Sequence, residues 1–402
     1  MNQSVKLWRS PEFLLYLMAA AVPLSFATWQ TLLNNFAIEA AQFTGAEIGI
    51  LQSLREVPGF LAFTVVFLLL VMREQVLAWV ALLLLGIGTA VTGYFPSVVG
   101  LYATTVLMSL GFHYSEAVQE SLTLQWIDKR RTAEVMGRVV AVRAFAGLAV
   151  FAGVYLCLDV FSLEYSWIYL LGGGVTVAVA LVAAWAYPQF ATVVEQHRHI
   201  VLRSRYWLYY ALVFFSGARR QIFIVFAGFL MVEKFQYSAS AIAMLFLING
   251  ALTVYLAPKI GRLIARFGER RSLTFEYLGL IGVFTTYAFV ENHVLAASLY
   301  VVDHIFFAMA IAIKTYFQKI ADPADIAASA GVSFTINHIA AVVLPILLGY
   351  LWLSSPAAVF LCGSGFALVS LLLVQLIPRQ PAVGCEVTFA GRVVGPRGAP
   401  VR

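Results

Sequence analysis

Apolar residues fill the chain in long runs, and polar residues collect in the gaps between them. Twelve runs can be counted, at about residues 13–38, 46–72, 76–94, 97–126, 134–158, 165–187, 207–233, 238–263, 272–290, 294–320, 326–351 and 356–377. Most are long enough for an α-helix, rising about 1.5 Å per residue, to cross a hydrocarbon core of about 30 Å. Most gaps are only a few residues, so neighbouring helices must run antiparallel. The pattern predicts an all-α integral membrane protein with twelve transmembrane helices. The first run contains Ala19-Ala20-Ala21, which would suit a signal-peptide cleavage site. It continues well past that point, so a retained helix is expected.

Two stretches break the pattern. Residues 188–206 are polar and basic, and they divide the chain after six runs. Residues 379–402 are rich in Gly, Pro and Arg with no apolar period, a composition that predicts a disordered tail. The expected organisation is a six-helix bundle over 1–187, a basic linker over 188–206, a second six-helix bundle over 207–378, and the tail. The two bundles repeat. Arg9-Ser10 precedes the first run and Arg203-Ser204 the seventh, an offset of 203 − 9 = 194. The same offset pairs Glu39 with Glu233, Ile48 with Ile242, Asp128 with Asp322, Gly137 with Gly331 and Arg143 with Asn337. Such a duplication marks transporters whose site lies near the membrane midplane.

Composition agrees: 61% of residues are hydrophobic and 11% charged, against about 25% charged in soluble domains. The net charge of +6 raises nucleic acid as a partner, but the basic residues sit in the connections. With the amino terminus inside, the inner connections hold Arg73, Lys129, Arg130, Arg131, Arg198, Arg203, Arg205, Arg262, Arg266, Arg270, Arg271 and Lys319. The outer ones hold Lys234 alone, with Glu39, Glu47, Asp159, Glu164, Glu233 and Glu291. That bias predicts cytoplasmic termini in a plasma (bacterial inner) membrane. Cys157, Cys362 and Cys385 are too scattered for a metal site or a disulfide framework. No Gly-rich phosphate loop precedes a Lys-Ser/Thr pair, so no cofactor and no self-contained ATP-driven pump is expected.

Charge inside the runs is the functional signal. Arg219-Arg220 lies near the centre of the seventh run, where one arginine costs roughly 2.5–3.5 kcal/mol on insertion scales. Such groups must face protein or water. Arg55-Glu56 lies in the second run. Adjacent helical residues diverge by about 100°, so one is expected to face a cavity and the other a neighbouring helix, unless the two form an internal ion pair. The fourth run carries Ser109, His113, Glu116 and Glu120 at spacings that share one face. A His with carboxylates can relay protons, although a polar stripe at a water-filled mouth would look the same. In the tenth run Asp303 matches Ser109 and Lys314 matches Glu120; Asp303-His304 is the second candidate for proton coupling. Glu120 and Lys314, opposite charges at equivalent positions, are expected to form a gate. Arg143 matches Asn337, beside His338. The first run adds Gln30, Thr31, Asn34 and Asn35. Lone Asn and His residues such as Asn249 serve equally as interhelical hydrogen-bonding groups, worth about 0.6 kcal/mol each.

The segment Gly261-Arg262-Leu263-Ile264-Ala265-Arg266-Phe267-Gly268-Glu269-Arg270-Arg271 resembles the loop signature of the major facilitator superfamily. It falls between the eighth and ninth runs, where the second copy belongs; Ala265 replaces the family's Asp. The first copy is reduced to Met72-Arg73-Glu74, and the fifth run lacks the proline of the drug/proton antiporter signature. The resemblance implies that helices 1, 4, 7 and 10 line the cavity. Arg55, Arg143, Arg219 and Arg220 are the cations at middle depth; Glu56, Glu116 and Asp303 are the acids counted there. A protonated acid would leave the site net positive, and guanidinium suits carboxylate and phosphate. Arg219 or Arg220 could instead pair with an internal acid.

The expected function is proton-coupled secondary transport of a small organic anion or zwitterion by alternating access. The expected substrate-binding residues are Arg219, Arg220, Arg55, Arg143, Asn34 and His338; those for protons are Glu116, His113, Asp303, His304 and Glu56. The partners are solute, protons and lipid, with no nucleic acid, and the protein is expected to be a monomer. Alternatives are a multidrug or metabolite exporter, a membrane-embedded enzyme built on His113 and Glu116, and a transporter-like sensor.

Overall fold

A computed structural model of the chain describes residues 8–61, 64–127, 131–190, 202–322, 326–389 and 392–394. Asp128, Lys129, Arg130 and Arg198, most of the basic linker, and the tail from 395 lie outside the described residues.

Each of the twelve runs corresponds to helix. The first half contains α1 (Pro11–Glu39), α2 (Gly45–Phe60), the single turn α3 (Val65–Leu68), α4 (Glu74–Thr92), α5 (Val98–Trp126), α6 (Thr132–Tyr155) and α7 (Tyr165–Ala186). The second half contains α8 (Trp207–Gln221), α9 (Gly228–Glu233), α10 (Ala239–Phe267), α11 (Glu269–Phe289), α12 (His293–Phe307), α13 (Ile311–Ile320), α14 (Ile326–Ser354) and α15 (Pro356–Val374). Among the described residues, nine helical spans are long and apolar enough to cross a membrane.

Local sequence sets the helix starts. Ser10, Ser97, Asn292 and Ser355 each accept a hydrogen bond from a backbone N–H in the first turn, and Thr44 with Glu47 forms a capping box. The 194-residue repeat reappears in the boundaries. Ends recur at Glu39 and Glu233 and at Trp126 and Ile320; starts recur at Gly45 and Ala239 and at Thr132 and Ile326.

Four runs are less regular than the apolar pattern predicts. The second stops at Phe60 instead of continuing to 72. Pro58 lies two residues before the stop, and its ring removes a backbone donor and crowds the preceding turn. The fifth ends in a π-helical turn at Leu156–Val160. In the seventh run, α8 and α9 are joined by a π-helical turn at Ile222–Ala227, directly after Arg219-Arg220-Gln221. In the tenth, α12 and α13 are joined by a 3-10 turn at Ala308–Ala310.

The chain divides into two compact units. The first comprises Met1–Glu47, Leu54–Gln196 and Gln236–Gly250; the second comprises Ile48–Ser53, His197–Phe235 and Ala251–Arg402. In the first, α4 packs on α5 and α7, and α1 packs on α6 and α7. The α4 contacts depend on missing side chains. A Cβ on Gly111 would lie 2.1 Å from the Leu85 nitrogen, and one on Gly173 would lie 2.3 Å from the Ala90 nitrogen. Close backbone approach of this kind substitutes for the hydrophobic drive that lipid does not supply. In the second unit, α11 packs on α15, and α8 packs on α14 and α15, around Phe226, Phe229, Tyr277, Phe284 and Phe360.

The stretch after 378, expected to lack structure, contains a small hairpin. Val387–Phe389 pairs antiparallel with Arg392–Val394. It is tied to the second unit: the Tyr316 hydroxyl donates to the Glu386 carbonyl at 2.6 Å, and the Thr388 N–H donates to the Leu376 carbonyl at 2.8 Å. A segment too poor in apolar residues for its own core thus borrows its order from the end of a bundle.

Candidate functional site

Buried charge in the first unit is organised in pairs. Arg55 and Glu56 are both buried and ion-paired to each other. Of the two arrangements expected for these neighbours the ion pair is the one formed: two long side chains curl together although their Cβ atoms point apart. The Ser109 hydroxyl, on α5, donates to the Arg55 carbonyl and ties α2 to α5.

Two turns further along α5, Glu116 meets Arg143 of α6. The Arg143 Nη1 lies 2.6 Å from the Glu116 Oε2, and its Nη2 donates to the Gln119 Oε1 at 3.0 Å. The Gln119 amide also donates to the Leu15 carbonyl at 3.1 Å, so α1, α5 and α6 meet at one polar point. Unlike Arg55 and Glu56, this pair is about one-third exposed, at 33% and 32% of the side-chain surface. The second oxygen of Glu116 has no hydrogen-bond partner. His113 is buried on the same helix, Glu120 is exposed, and Asn34 of α1 is half-buried.

The second unit concentrates its charge differently. Arg219, near the end of α8, is only 3% exposed and Glu276 of α11 only 1%. Its Nη1 lies 3.4 Å from the Glu276 Oε1, its Nε donates to the Phe215 carbonyl at 3.2 Å, and its guanidinium sits 4.4 Å from the centre of the Tyr277 ring. Asp303 of α12 is 2% exposed and within electrostatic reach of both Arg219 and Glu276. One oxygen of each acid, Glu276 Oε2 and Asp303 Oδ2, lacks a hydrogen-bond partner. Arg220 turns elsewhere, donating to the Asn337 Oδ1 of α14 at 2.9 Å. His304 meets the Thr253 hydroxyl of α10 at 3.0 Å. His338 is buried and Lys314 is exposed.

The candidate residues therefore fall into separate groups. Arg143 joins Glu116; Arg55 joins Glu56, which also lies within 4.8 Å of His113; and Arg219 joins Glu276 and Tyr277, with Asp303 within electrostatic reach. Neither Glu276 nor Tyr277 stands out when only the apolar pattern is followed. Glu276 is nonetheless a lone acid seven residues into the α11 helix, and the cost rule that marks Arg219 marks it equally. Gln119 lies three residues from Glu116 and so within its reach on the helix surface.

The family model of the Major Facilitator Superfamily matches residues 13–345. No curated relative matches the sequence. Among solved structures, the chain is similar to a mutant of the nucleoside transporter NupG, at 13% identity and a TM-score of 0.75, covering 91% of this chain and 99% of that one. It is also similar to a bacterial homologue of the human lysosomal transporter Spinster in an inward-facing, occupied conformation. There the identity is 15% and the TM-score 0.72, covering 92% and 96% of the two chains. At such identities the likeness speaks for the fold, while the family model spans most of the chain. The chain belongs to the major facilitator superfamily and is a multi-pass membrane transporter, not an enzyme.

Proposed function

We propose that this transporter moves a small organic anion, or a zwitterion with an acidic group, together with protons by alternating access. The observation that carries the reading is the Arg143–Glu116 pair, which is intimate yet one-third exposed. A solute carboxylate or phosphate can compete with Glu116 for the guanidinium, whose planar fork suits both. A proton on Glu116 removes the competitor, so proton and anion load together. Asn34, Arg220 and His338 are the further solute contacts in this reading, with His113, His304, Asp303 and Glu56 serving proton movement and Glu120 with Lys314 the gate. The basic inner connections support cytoplasmic termini in a bacterial inner membrane, and a monomer suffices for the cycle.

A neutral polar solute is the second reading. It is favoured by the internal pairing of Arg55 and Arg219, which leaves them no need of an external anion, and by the fold shared with NupG, a nucleoside transporter. Thermal-shift measurements on the purified protein against organic anions, amino acids, sugars and nucleosides, repeated with Arg143→Ala, separate the two. The anion reading expects stabilisation by an acid-bearing solute that Arg143→Ala removes. Stabilisation by neutral compounds alone, undisturbed by Arg143→Ala, rejects it.

A further inference from the structure

In the second unit, one guanidinium contacts one carboxylate and lies within electrostatic reach of another. Arg219 comes from α8, Glu276 from α11 and Asp303 from α12, and all three are at most 3% exposed. The other titratable groups around these three are the phenols Tyr277, beside Arg219 and Glu276, and Tyr287 and Tyr300, beside Asp303, with His304 as the chain neighbour of Asp303. Arg220 does not enter the count, since it is directed to Asn337. With both acids ionised, the cluster would hold a net negative charge away from water. Even after relaxation, burying such a charge costs several kcal/mol. One proton removes the excess.

The geometry leaves room for that proton. Arg219 reaches Glu276 through one contact of 3.4 Å, long for a charge-assisted hydrogen bond, which favours about 2.8 Å. The guanidinium is therefore not locked to one acid by a two-pronged grip. Glu276 Oε2 and Asp303 Oδ2 are both buried without a hydrogen-bond partner. The cluster also lies beside two irregular turns of this unit. The π-helical turn at Ile222–Ala227 begins three residues after Arg219, and the 3-10 turn at Ala308–Ala310 begins five residues after Asp303. Irregular turns of this kind concentrate at functional hinges.

We infer that Glu276 and Asp303 share a single proton around Arg219, which makes Glu276 a proton-binding residue of the transporter. The proton's part in transport rests on the proton-coupled reading above; its presence on the acid pair does not. When the proton sits on Asp303, Arg219 pairs with Glu276; when it moves to Glu276, Arg219 turns to Asp303. Exchange between these arrangements alters the pull on α8 and α12 next to their breaks. No bond other than O–H is made or broken, and the proton returns to water.

Infrared spectroscopy of the reconstituted full-length protein tests this through the carbonyl stretch of a buried carboxylic acid. The unaltered protein should show that band at neutral pH. Glu276→Gln and Asp303→Asn should each abolish it, because the remaining acid then ionises against Arg219. Each single amide variant should melt within a few degrees of the unaltered protein, whereas the double variant, with Arg219 buried alone, should melt far lower. A band absent from the unaltered protein, or one that survives either substitution, overturns the inference in favour of a plain ion pair. If no organic anion is taken up but the band behaves as described, the transport reading fails and the shared proton stands.

Discussion

The two units handle buried guanidinium groups in opposite ways. In the first, Arg143 meets one acid, Glu116, where a third of each side chain is open. In the second, Arg219 meets one acid, Glu276, with a second, Asp303, within electrostatic reach, and none of the three exceeds 3% exposure. A reachable pair can exchange its partner for a solute. A sealed cluster can exchange only what is small enough to enter, and a proton is the smallest such thing. The contrast assigns solute recognition to the first arrangement and charge compensation to the second. Arg55–Glu56 marks the intermediate case, sealed, with one acid for one guanidinium and His113 close by.

The contrast is broken most forcefully at Arg219. Arg219→Ala would strand Glu276 and Asp303 without a cation and should destabilise the protein by about 3–5 kcal/mol, the usual cost of removing one partner from a buried pair. Chemical denaturation in detergent measures it; a loss under about 1 kcal/mol would mean that the cluster is not sealed. Next in size is the pH dependence of solute binding. Because protonating Glu116 frees Arg143, affinity for an anion should rise as pH falls, by about tenfold or 1.4 kcal/mol. The dependence should vanish in Glu116→Gln, whose affinity stays at the low-pH value. Binding titrations at two pH values decide, and a dependence of equal size in the variant would remove Glu116 from the scheme.

Arg143→Ala sharpens the comparison from the other side. Its pair is one-third exposed, so the stability loss should be about 0–1 kcal/mol even though solute binding is lost. A loss as large as that of Arg219→Ala would erase the distinction between the units. The smallest effect is expected at Thr253, whose hydroxyl meets His304 at 3.0 Å. Thr253→Val should cost about 0.6 kcal/mol, the average for hydrogen bonds between membrane helices. A cost of several kcal/mol would place His304 among the groups that hold the fold together.

Most of the fold is legible in the sequence because the bilayer imposes one rule, that long apolar runs become helices. The 194-residue offset even carries through to helix ends such as Glu39 and Glu233. The breaks at 222–227 and 308–310 are hidden because a π-helical or 3-10 turn uses the same apolar residues as an α-turn. The hairpin at 387–394 is hidden because its order comes from Tyr316 and Leu376, outside its own composition. At the site, the cost argument marks Glu276 as it marks Arg219 and Asp303, but it does not say that the three lie near one another. Sequence spacing compares residues along one helix, whereas Arg219, Glu276 and Asp303 come from three. The Arg55–Glu56 pair stands in the sequence only as an alternative, because helical angles fix where Cβ points, not where a long side chain ends.

Uptake into proteoliposomes under an imposed pH gradient tests the central claim most directly. With the outside acidic, an acid-bearing solute should accumulate in vesicles containing the unaltered protein. In Glu116→Gln vesicles the same solute should exchange across the membrane without accumulating. Accumulation of cationic or neutral solutes with anions excluded, or anion uptake indifferent to the gradient, would contradict it.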